Sequence, residues 1–415
     1  MRRFAIAAAA VVLLGCGVIA AYLLEFRARS HDVIGSSTIE FVPTLPRLPV
    51  VPVTQDIVWP NFGYDRARLH AAPPSRVRPP FRTLWVAGGR SMLEFPPSIA
   101  WNRLYVGTSS GNVIAVGAGN GGRAWDFASH RCLAATPAAG PYKHGTVYEA
   151  FLNRQPCKKK DPADGEVVAL SVGLGVVRWR TRIGASESSP MLMNDLVYVG
   201  DWLGKVYALD AETGAVRWSF KTGGAIKGGV ASDGRTVYIG SYDGRVYAID
   251  ARSGRLRWRA SGEPRLVGHG TFYSTPAVAY ARVYIGSTDG KVYSFGARTG
   301  KLRWARSTGG YVYGSPAVWR SLVLVGSYSH VFYAFDAATG RTRWTFKADG
   351  PISGSATVVA GVVYFATLPG TTYGLDATTG RLLWRFHDGK YSPVVADRAH
   401  IYLVGYSVIY ALVPR

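Results

Sequence analysis

The chain carries an eleven-residue pattern that recurs at a nearly fixed interval, and this repetition constrains the fold more than any other feature. The pattern is Ala-x-Asp-x-x-Thr-Gly-x-x-x-Trp, clearest from Ala208 to Trp218. Four more copies end at Trp258, Trp304, Trp344 and Trp384, and two degenerate copies end at Trp125 and Trp179. Trp85 lies about one repeat length before Trp125, but the first half of the eleven-residue pattern is missing before it. Repeats of about 40 residues are typical of solenoids, propellers and arrays.

Each repeat contains four strand signals separated by turns. In the third unit, short β-rich runs begin near 189, 196, 205 and 215. Asp-Gly and Thr-Gly pairs supply the positive φ angles that hairpin turns need. Four antiparallel strands in about 40 residues make one propeller blade. We expect Asp210 and Thr213 to cap their own turn, Gly214 to adopt the left-handed conformation, and Trp218 to pack between blades.

The two ends of the repeat array complement each other. After Trp384 the sequence predicts only three strands, and the missing outer strand is the one that contains Trp85. Pairing the two ends predicts an all-β, eight-bladed β-propeller over residues 81–415, and closure would remove the open sheet edges. The tryptophans expected to dock one blade on the next are Trp85, Trp125, Trp179, Trp218, Trp258, Trp304, Trp344 and Trp384.

An apolar segment precedes the repeats. Residues 4–24 carry no charge, follow two arginines, and are long enough to cross a bilayer as a helix. We predict that residues 1–29 form an uncleaved transmembrane signal-anchor, which places the rest of the chain outside the cytoplasm. The alternative is a lipoprotein cleavage box that ends at Cys16, which would then carry the lipid.

Residues 30–80 are rich in proline and lack regular periodicity. Such a stretch is typical of a semi-extended spacer, because proline cannot donate to a sheet. Its one aromatic cluster runs from Trp59 to Asp65. We predict that this cluster packs on the propeller as a strap.

The repeated frame over residues 81–415 resembles the tryptophan docking motif of the pyrroloquinoline-quinone (PQQ) repeat superfamily of eight-bladed propellers. That superfamily includes quinoprotein alcohol dehydrogenases and a non-catalytic branch represented by the propeller lipoprotein of the outer-membrane β-barrel assembly machinery. The anchor and bare propeller here are more similar to the second branch. The resemblance therefore implies no catalytic residue, no cofactor and no metal.

The alternative is a dehydrogenase that uses PQQ and calcium. The enzymes typically place a disulfide between adjacent cysteines against the cofactor, and this sequence has no Cys-Cys pair. A related class of sugar dehydrogenases lacks that disulfide, so the alternative stays open. No zinc-ligand frame, serine-hydrolase elbow or phosphate-binding loop is present in the sequence.

Two cysteines are expected to meet on one rim of the ring. Cys132 follows the outer strand of one blade, and Cys157 follows the second strand of the next. Both connections open on the same face of a propeller. A disulfide there would stabilise by roughly 3–4 kcal/mol, and it would suit an oxidising exterior. Two unpaired thiols are the alternative.

The same rim gathers the longer insertions and several hairpin-tip aromatics. Function commonly resides on such loops, and the net charge of +22 favours anionic partners. We predict an interaction face made of Lys158, Lys159, Lys160, Trp202, Tyr242, Arg265, His269, Tyr328 and His330. The alternative is that the lysines are simply solvated and the aromatics pack on neighbouring blades.

Together these features predict a monomeric, membrane-anchored propeller on the extracytoplasmic side of a cell membrane. We expect it to act as a non-catalytic scaffold that binds an envelope protein or an anionic polymer, and not nucleic acid. A quinoprotein dehydrogenase and a ligand-sensing ectodomain are the two alternatives.

Overall fold

The computed structural model describes residues 15–21, 32–44, 57–72, 76–88, 91–157, 161–263, 269–391 and 394–415. The described part is all-β. Eight antiparallel sheets of four strands, one of them with a fifth strand, follow one another along the chain. This is the predicted eight-bladed propeller.

The strands of each blade run from the central channel outward. Blades 1 and 2 contain β3 (Ser98–Ala100), β4 (Arg103–Gly107), β5 (Asn112–Gly117) and β6 (Arg123–Ala128), then β7 (Ala138–Gly140), β8 (Thr146–Phe151), β9 (Gly165–Ser171) and β10 (Val177–Ile183). Blades 3 and 4 contain β11 (Met191–Met193), β12 (Leu196–Gly200), β13 (Lys205–Asp210) and β14 (Val216–Lys221), then β15 (Ala231–Ser232), β16 (Thr236–Gly240), β17 (Arg245–Asp250) and β18 (Leu256–Ser261).

The later blades repeat this order. Blades 5 and 6 contain β19 (Ala277–Ala279), β20 (Arg282–Gly286), β21 (Lys291–Gly296) and β22 (Leu302–Ser307), then β23 (Ala317–Trp319), β24 (Leu322–Gly326), β25 (Val331–Asp336) and β26 (Thr342–Lys347). Blades 7 and 8 contain β27 (Thr357–Val359), β28 (Val362–Ala366), β29 (Thr372–Asp376) and β30 (Leu382–Phe386), then β31 (Val395–Ala396), β32 (Ile401–Val404) and β33 (Val408–Pro414).

The ring closes as the sequence predicts. Strand β2 (Phe81–Gly88) is the outer strand of blade 8 and pairs antiparallel with β33. In this pairing Trp85 lies opposite Ala411 and Val86 opposite Tyr410. The amino-terminal strand therefore completes the blade that the carboxyl-terminal strands begin.

The repeated turn is held by its own side chains. In blade 3, Asp210 Oδ1 accepts hydrogen bonds from the Thr213 amide and hydroxyl, both at 2.8 Å. Arg217 donates to Asp210 Oδ2 at 2.7 Å. Burial opposes ionisation of Asp210, but the bonds from Arg217 and Thr213 lower its pKa to about 2. Gly214 follows with φ 77°, which glycine adopts without strain.

The tryptophans join neighbouring blades through one recurring hydrogen bond. Seven indole N–H groups donate to a backbone carbonyl in the turn between the third and fourth strands of the next blade, at 2.9 to 3.2 Å. The donor and acceptor pairs are Trp85–Ala118, Trp125–Val172, Trp179–Ala211, Trp218–Ala251, Trp258–Ala297, Trp304–Ala337 and Trp344–Ala377. Trp384 instead packs edge-to-face on Phe81 of the closing strand, with ring centroids 5.3 Å apart.

The glycine of each repeat has a second role in this contact. A Cβ on Gly214 would lie 2.6 Å from the indole of Trp179 in the preceding blade. The corresponding glycines of six other repeats face the preceding indole in the same way. Glycine is therefore required at this position both by its φ angle and by the close approach of the ring.

Residues 57–72, which we call the channel plug, lie inside the ring. The plug begins with β1 (Ile57–Trp59), which pairs with the inner strand β3 of blade 1. Farther along, its backbone carbonyls accept hydrogen bonds from inner-strand amides: Ser232 to Arg66, Val278 to Ala67, Val318 to Leu69 and Val358 to His70. The cluster predicted to pack on the domain as a strap thus fills its central channel.

Arg68 fixes the plug at its centre. Its fully buried guanidinium donates to the carbonyls of Val230, Ser189 and Pro190 at 2.9 to 3.2 Å, and also to the carbonyl of Phe62. Burial, opposed by the nearby Asp65, lowers the pKa of Arg68 to about 9. The channel wall therefore supplies backbone acceptors to one central cation.

Residues 32–44, which we call the outer clamp, lie along blade 5. Val33 forms an antiparallel bridge with Ala305 of β22. Arg282 donates to the clamp carbonyls of Ser36, Ile39 and Glu40. The described parts of the proline-rich stretch are thus built into the propeller and do not form a free spacer.

Part of the predicted anchor lies outside the described residues. A short helical stretch covers 15–21, and Cys16 within it is exposed. In the portion of the chain that the structure describes, no helix is long and apolar enough to span a bilayer.

Candidate functional site

The upper face of the ring carries the candidate site. We define this face by the hairpins between second and third strands and by the connections that lead from one blade to the next. Cys132 and Cys157 meet on it in a disulfide, with Cα atoms 5.6 Å apart, so the predicted pairing is confirmed. The bond ties the connection into blade 2 to the following hairpin.

A pocket of about 330 Å³ opens at the centre of this face. Each inter-blade connection carries one residue four positions before the inner strand that follows, and we call these eight residues the axial ring. In blade order the ring residues are Glu94, Ala134, Glu187, Lys227, Tyr273, Tyr313, Ser353 and Tyr391. All but Ala134 line the pocket. The channel plug contributes Phe62 to the lining as well.

Charged side chains occupy one side of the axial ring. Lys227 Nζ lies 3.2 Å from Glu187 Oε1, and both side chains are largely buried. The same ammonium lies over the rings of Trp202 and Tyr242, 4.4 and 5.6 Å from their centroids. Contacts of this kind attract a cation to the negative face of the ring.

Glu94 lines the same pocket and interacts electrostatically with the Lys227–Glu187 pair. Burial raises the pKa of Glu94, repulsion from Glu187 raises it further, and attraction to Lys227 opposes the shift. Tyr273 donates a long hydrogen bond of 3.4 Å to Glu187 Oε2. Burial is the largest cause that holds the pKa of Tyr273 far above its ordinary value, and the negative charges of Glu187 and Glu94 add to it.

Aromatic rings form the opposite side of the pocket. Tyr313 contacts Tyr273 and Tyr328 edge-to-face, with centroids 5.2 and 5.1 Å apart. Tyr311 joins this group at the mouth and is half exposed. Below them, Ser315 and Ser355 accept hydrogen bonds from neighbouring backbone amides around the axis. The pocket therefore combines an acidic side, an aromatic side and a hydroxyl-bearing floor.

The structure brings part of the predicted interaction face to this pocket. Tyr328 lines it, and Trp202 and Tyr242 surround Lys227. His269 Nε2 lies 3.0 Å from the Tyr242 carbonyl, and His330 occupies the tip of the hairpin between β24 and β25. Lys158, Lys159, Lys160 and Arg265 fall outside the described residues.

Sequence reasoning missed the charged residues of the pocket. Glu94, Glu187 and Lys227 belong to connections without a motif of their own. Counting back four residues from the first residue of each inner strand finds all eight axial residues. The signal was therefore present in the register of the repeats.

PQQ and calcium each require a particular set of polar groups in a binding site. PQQ is a tricarboxylate, so its site requires several cationic or N–H donors, and calcium requires six or more oxygen ligands. The described lining offers one ammonium, already paired, and two carboxylates. Among the described residues no group of three or more His, Cys, Asp or Glu side chains is placed to hold a metal ion. The residues present do not fit this cofactor pair.

The blades, their indole contacts and the axial pocket define an eight-bladed propeller of the PQQ-repeat class. The family model described as "Outer membrane protein assembly factor BamB" matches residues 163–311 and 288–411. The chain belongs to this family.

Solved structures with the same fold come from both branches of the class. BamB from Moraxella catarrhalis is 19% identical, with a TM-score of 0.64 over 80% of this chain and 97% of that one. The quinohemoprotein alcohol dehydrogenase of Comamonas testosteroni is 14% identical, with a TM-score of 0.73 over 95% and 84%. At these identities the likeness shows the fold alone.

One curated relative is a protein kinase. The serine/threonine-protein kinase AfsK of Streptomyces griseus is 30% identical over 28% of this chain and 19% of the kinase. The matched region thus spans about a fifth of that relative's length.

Proposed function

We propose that this protein is a membrane-anchored, extracytoplasmic propeller that acts as a non-catalytic interaction scaffold in the cell envelope. Residues 4–24 serve as the anchor, with lipidation of Cys16 as the alternative attachment. The partner is an envelope protein, which binds the upper face around the axial pocket.

The observation that carries this proposal is the composition of the upper face. Exposed aromatic side chains, Tyr311 and Tyr406, stand at the hairpin tips and connections around the pocket, each about half exposed. Tyrosine and tryptophan are enriched where proteins bind one another. The disulfide on the same face supports an oxidising compartment, and membership of the BamB family supports a role in assembly.

Site-specific photocrosslinking in intact cells tests the proposal. A photoreactive residue at Tyr406 or Tyr311 is expected to capture the same envelope protein, whereas one at Thr378, on an exposed turn of the opposite face, is expected to capture none. Capture of the same protein from all three positions, or of none from the two tyrosines, would contradict it. Protease treatment of spheroplasts checks the location, because an extracytoplasmic propeller must be accessible from outside.

A second candidate function, ligand sensing by an ectodomain, is favoured by the axial pocket. The match to part of a serine/threonine-protein kinase supports it. The two candidates make different predictions. A scaffold should keep its protein partner when a ligand blocks the pocket. A sensor should bind a ligand in the pocket without any protein partner.

The quinoprotein alternative is tested by adding PQQ and calcium to the purified full chain. Dye reduction with alcohols or aldoses, together with a changed quinone spectrum, would overturn the scaffold assignment. We expect neither, because the pocket carries two carboxylates that repel the tricarboxylate.

A further inference from the structure

We propose that the axial pocket binds an alkylammonium ion, the protonated amine of a small organic molecule or of a lysyl side chain. This inference concerns the pocket alone and does not depend on the membrane anchor or on an envelope partner.

The pocket already accommodates one ammonium. Lys227 places its Nζ over the Trp202 ring and within reach of Tyr242 and Tyr273, while Glu187 accepts its hydrogen bond at 3.2 Å. Aromatic faces with a carboxylate are the chemistry that selects organic cations. The walls are therefore suited to an ammonium, and the protein's own lysine occupies only one part of them.

The described lining of the pocket carries two carboxylates and one lysine ammonium. Glu94 and Glu187 line the pocket from blades 1 and 3, and both raise the pKa of Tyr273, so they face one part of the cavity. A second ammonium bound in that part would face both carboxylates. It would also relieve the repulsion between them that contributes to the raised pKa of Glu94.

The rest of the cavity suits an alkyl chain with a polar far end. Tyr313, Tyr328 and Tyr391 also line the cavity, and their rings can cover methylene groups. The Tyr328 hydroxyl donates to Ser353 Oγ at 3.2 Å and can still accept a hydrogen bond. A volume of about 330 Å³ is at the lower end of the range for small-molecule sites. An anion would meet Glu94 and Glu187, so an acidic ligand is disfavoured.

Titration of the full chain with cadaverine tests the inference, by calorimetry and by the change in intrinsic fluorescence, to which Trp202 beside Lys227 contributes. The uncharged analogue 1,5-pentanediol and the dianion glutarate are the matched probes. Cadaverine is expected to bind, and the diol and glutarate to bind at least about tenfold more weakly, since a hydrogen bond to a charged group is stronger than one between neutral groups.

Three variants locate the binding site. Glu94→Gln is expected to weaken cadaverine binding about tenfold, since it keeps the shape but removes a charge. Lys227→Met is expected to strengthen binding about tenfold, because it vacates the aromatic wall and frees Glu187. Glu212→Gln, on an exposed turn, is the control and should change nothing. Thermal unfolding of each variant verifies that the propeller remains folded.

A lysine-containing peptide, acetyl-Gly-Lys-Gly-amide, distinguishes the two sources of the amine. Binding of cadaverine alone assigns the pocket to a small amine, and binding of both assigns it to a side chain as well. Equal affinity for the diol, or a Glu94→Gln variant with unchanged affinity, would overturn the inference. So would a Lys227→Met variant that binds no amine.

Discussion

The carboxylate of Glu40 fills the space in which a side chain at Gly296 would have to lie. At the position of Gly296, four other repeats carry the turn aspartate: Asp210, Asp250, Asp336 and Asp376. Glu40 of the outer clamp accepts from the Thr299 hydroxyl at 2.7 Å and pairs with Arg303. These are the counterparts of the partners of Asp210. Blade 5 thus lacks its own turn carboxylate and receives one from the amino-terminal segment.

Gly296→Asp should release the outer clamp. An aspartate at 296 would restore the blade's own carboxylate and exclude Glu40, so we expect faster proteolysis and hydrogen exchange within residues 32–44. Glu40→Ala should weaken clamp docking by about 1–3 kcal/mol, because Arg303 loses its carboxylate in a largely buried position. Gly119→Asp, in open space on blade 1, is the matched control. An unchanged clamp in Gly296→Asp would contradict this assignment.

Removal of the Cys132–Cys157 disulfide should lower the free energy of unfolding by about 3–4 kcal/mol, because the bond closes a loop with a sequence separation of 25. Chemical denaturation of Cys132→Ser/Cys157→Ser measures the loss. Cys16→Ser, which leaves the disulfide intact, is the control. Unfolding that is unaffected by both the double substitution and a reducing agent would show that the loop is already ordered without it.

Glu149 should make stability fall as pH rises. Its carboxyl is fully buried on β8, and Oε2 has no hydrogen-bond partner among the residues that the structure describes. Burial raises its pKa well above the ordinary value, so the folded state holds a proton that the unfolded chain releases. The stabilising contribution is complete below about pH 4.5 and is lost as pH rises through the folded-state pKa.

Replacement of Glu149 with the apolar residue of the next blade tests this. Val199 occupies the corresponding position in blade 3, so Glu149→Val should stabilise by about 1–3 kcal/mol at neutral pH and flatten the dependence of Tm on pH. Glu212→Val, at an exposed turn, is the control. A pH profile that Glu149→Val leaves unchanged would mean that another group carries the dependence.

Arg68→Met should loosen the channel plug. The substitution leaves the carbonyls of Val230, Ser189 and Pro190 without their common donor inside the ring. We expect a loss of about 3 kcal/mol or more, the range for breaking a buried charged contact, with exchange of the plug amides as the local measure. Arg66→Met is the matched control, since the Nε of Arg66 is buried and finds no partner in the described part of the chain. Equal losses in the two variants would contradict a central role for Arg68.

The sequence predicted those parts of the fold that repeat. The Asp210-to-Trp218 spacing is local, so the blade, the turn and the closure through Trp85 followed from it. The plug could not be predicted, because its main contacts are backbone hydrogen bonds donated to the carbonyls of Ala67 and its neighbours, which no side-chain pattern records. The outer clamp is reflected in the sequence by Gly296, which stands where an acidic residue is expected. That departure from the repeat could be explained only from the position of Glu40 in the structure.

The candidate site, like the fold, was predictable from the sequence only in part. The cysteine pairing followed from topology, since both connections lie on one face. Trp202 and Tyr242 were chosen as hairpin-tip aromatics, and their joint contact with Lys227 depends on the curvature of the ring. The placement of Glu94 near Glu187 joins residues of blades 1 and 3, and no periodic pattern in either connection specifies it.

The amino-terminal segments meet the parts of the chain that a ribosome makes much later. The Phe81 carbonyl accepts a hydrogen bond from the Arg415 side chain, 334 residues away in sequence. The outer clamp can dock only after blade 5 has been synthesised, and the channel plug only after blades 4 to 7 have been. Contacts of such long range slow folding and leave edges uncovered during synthesis. A nascent chain interrupted before blade 8 would therefore leave β2 without its partner strand and expose the apolar faces of blades 1 and 7. Such truncated products should be the ones that chaperones and proteases recognise.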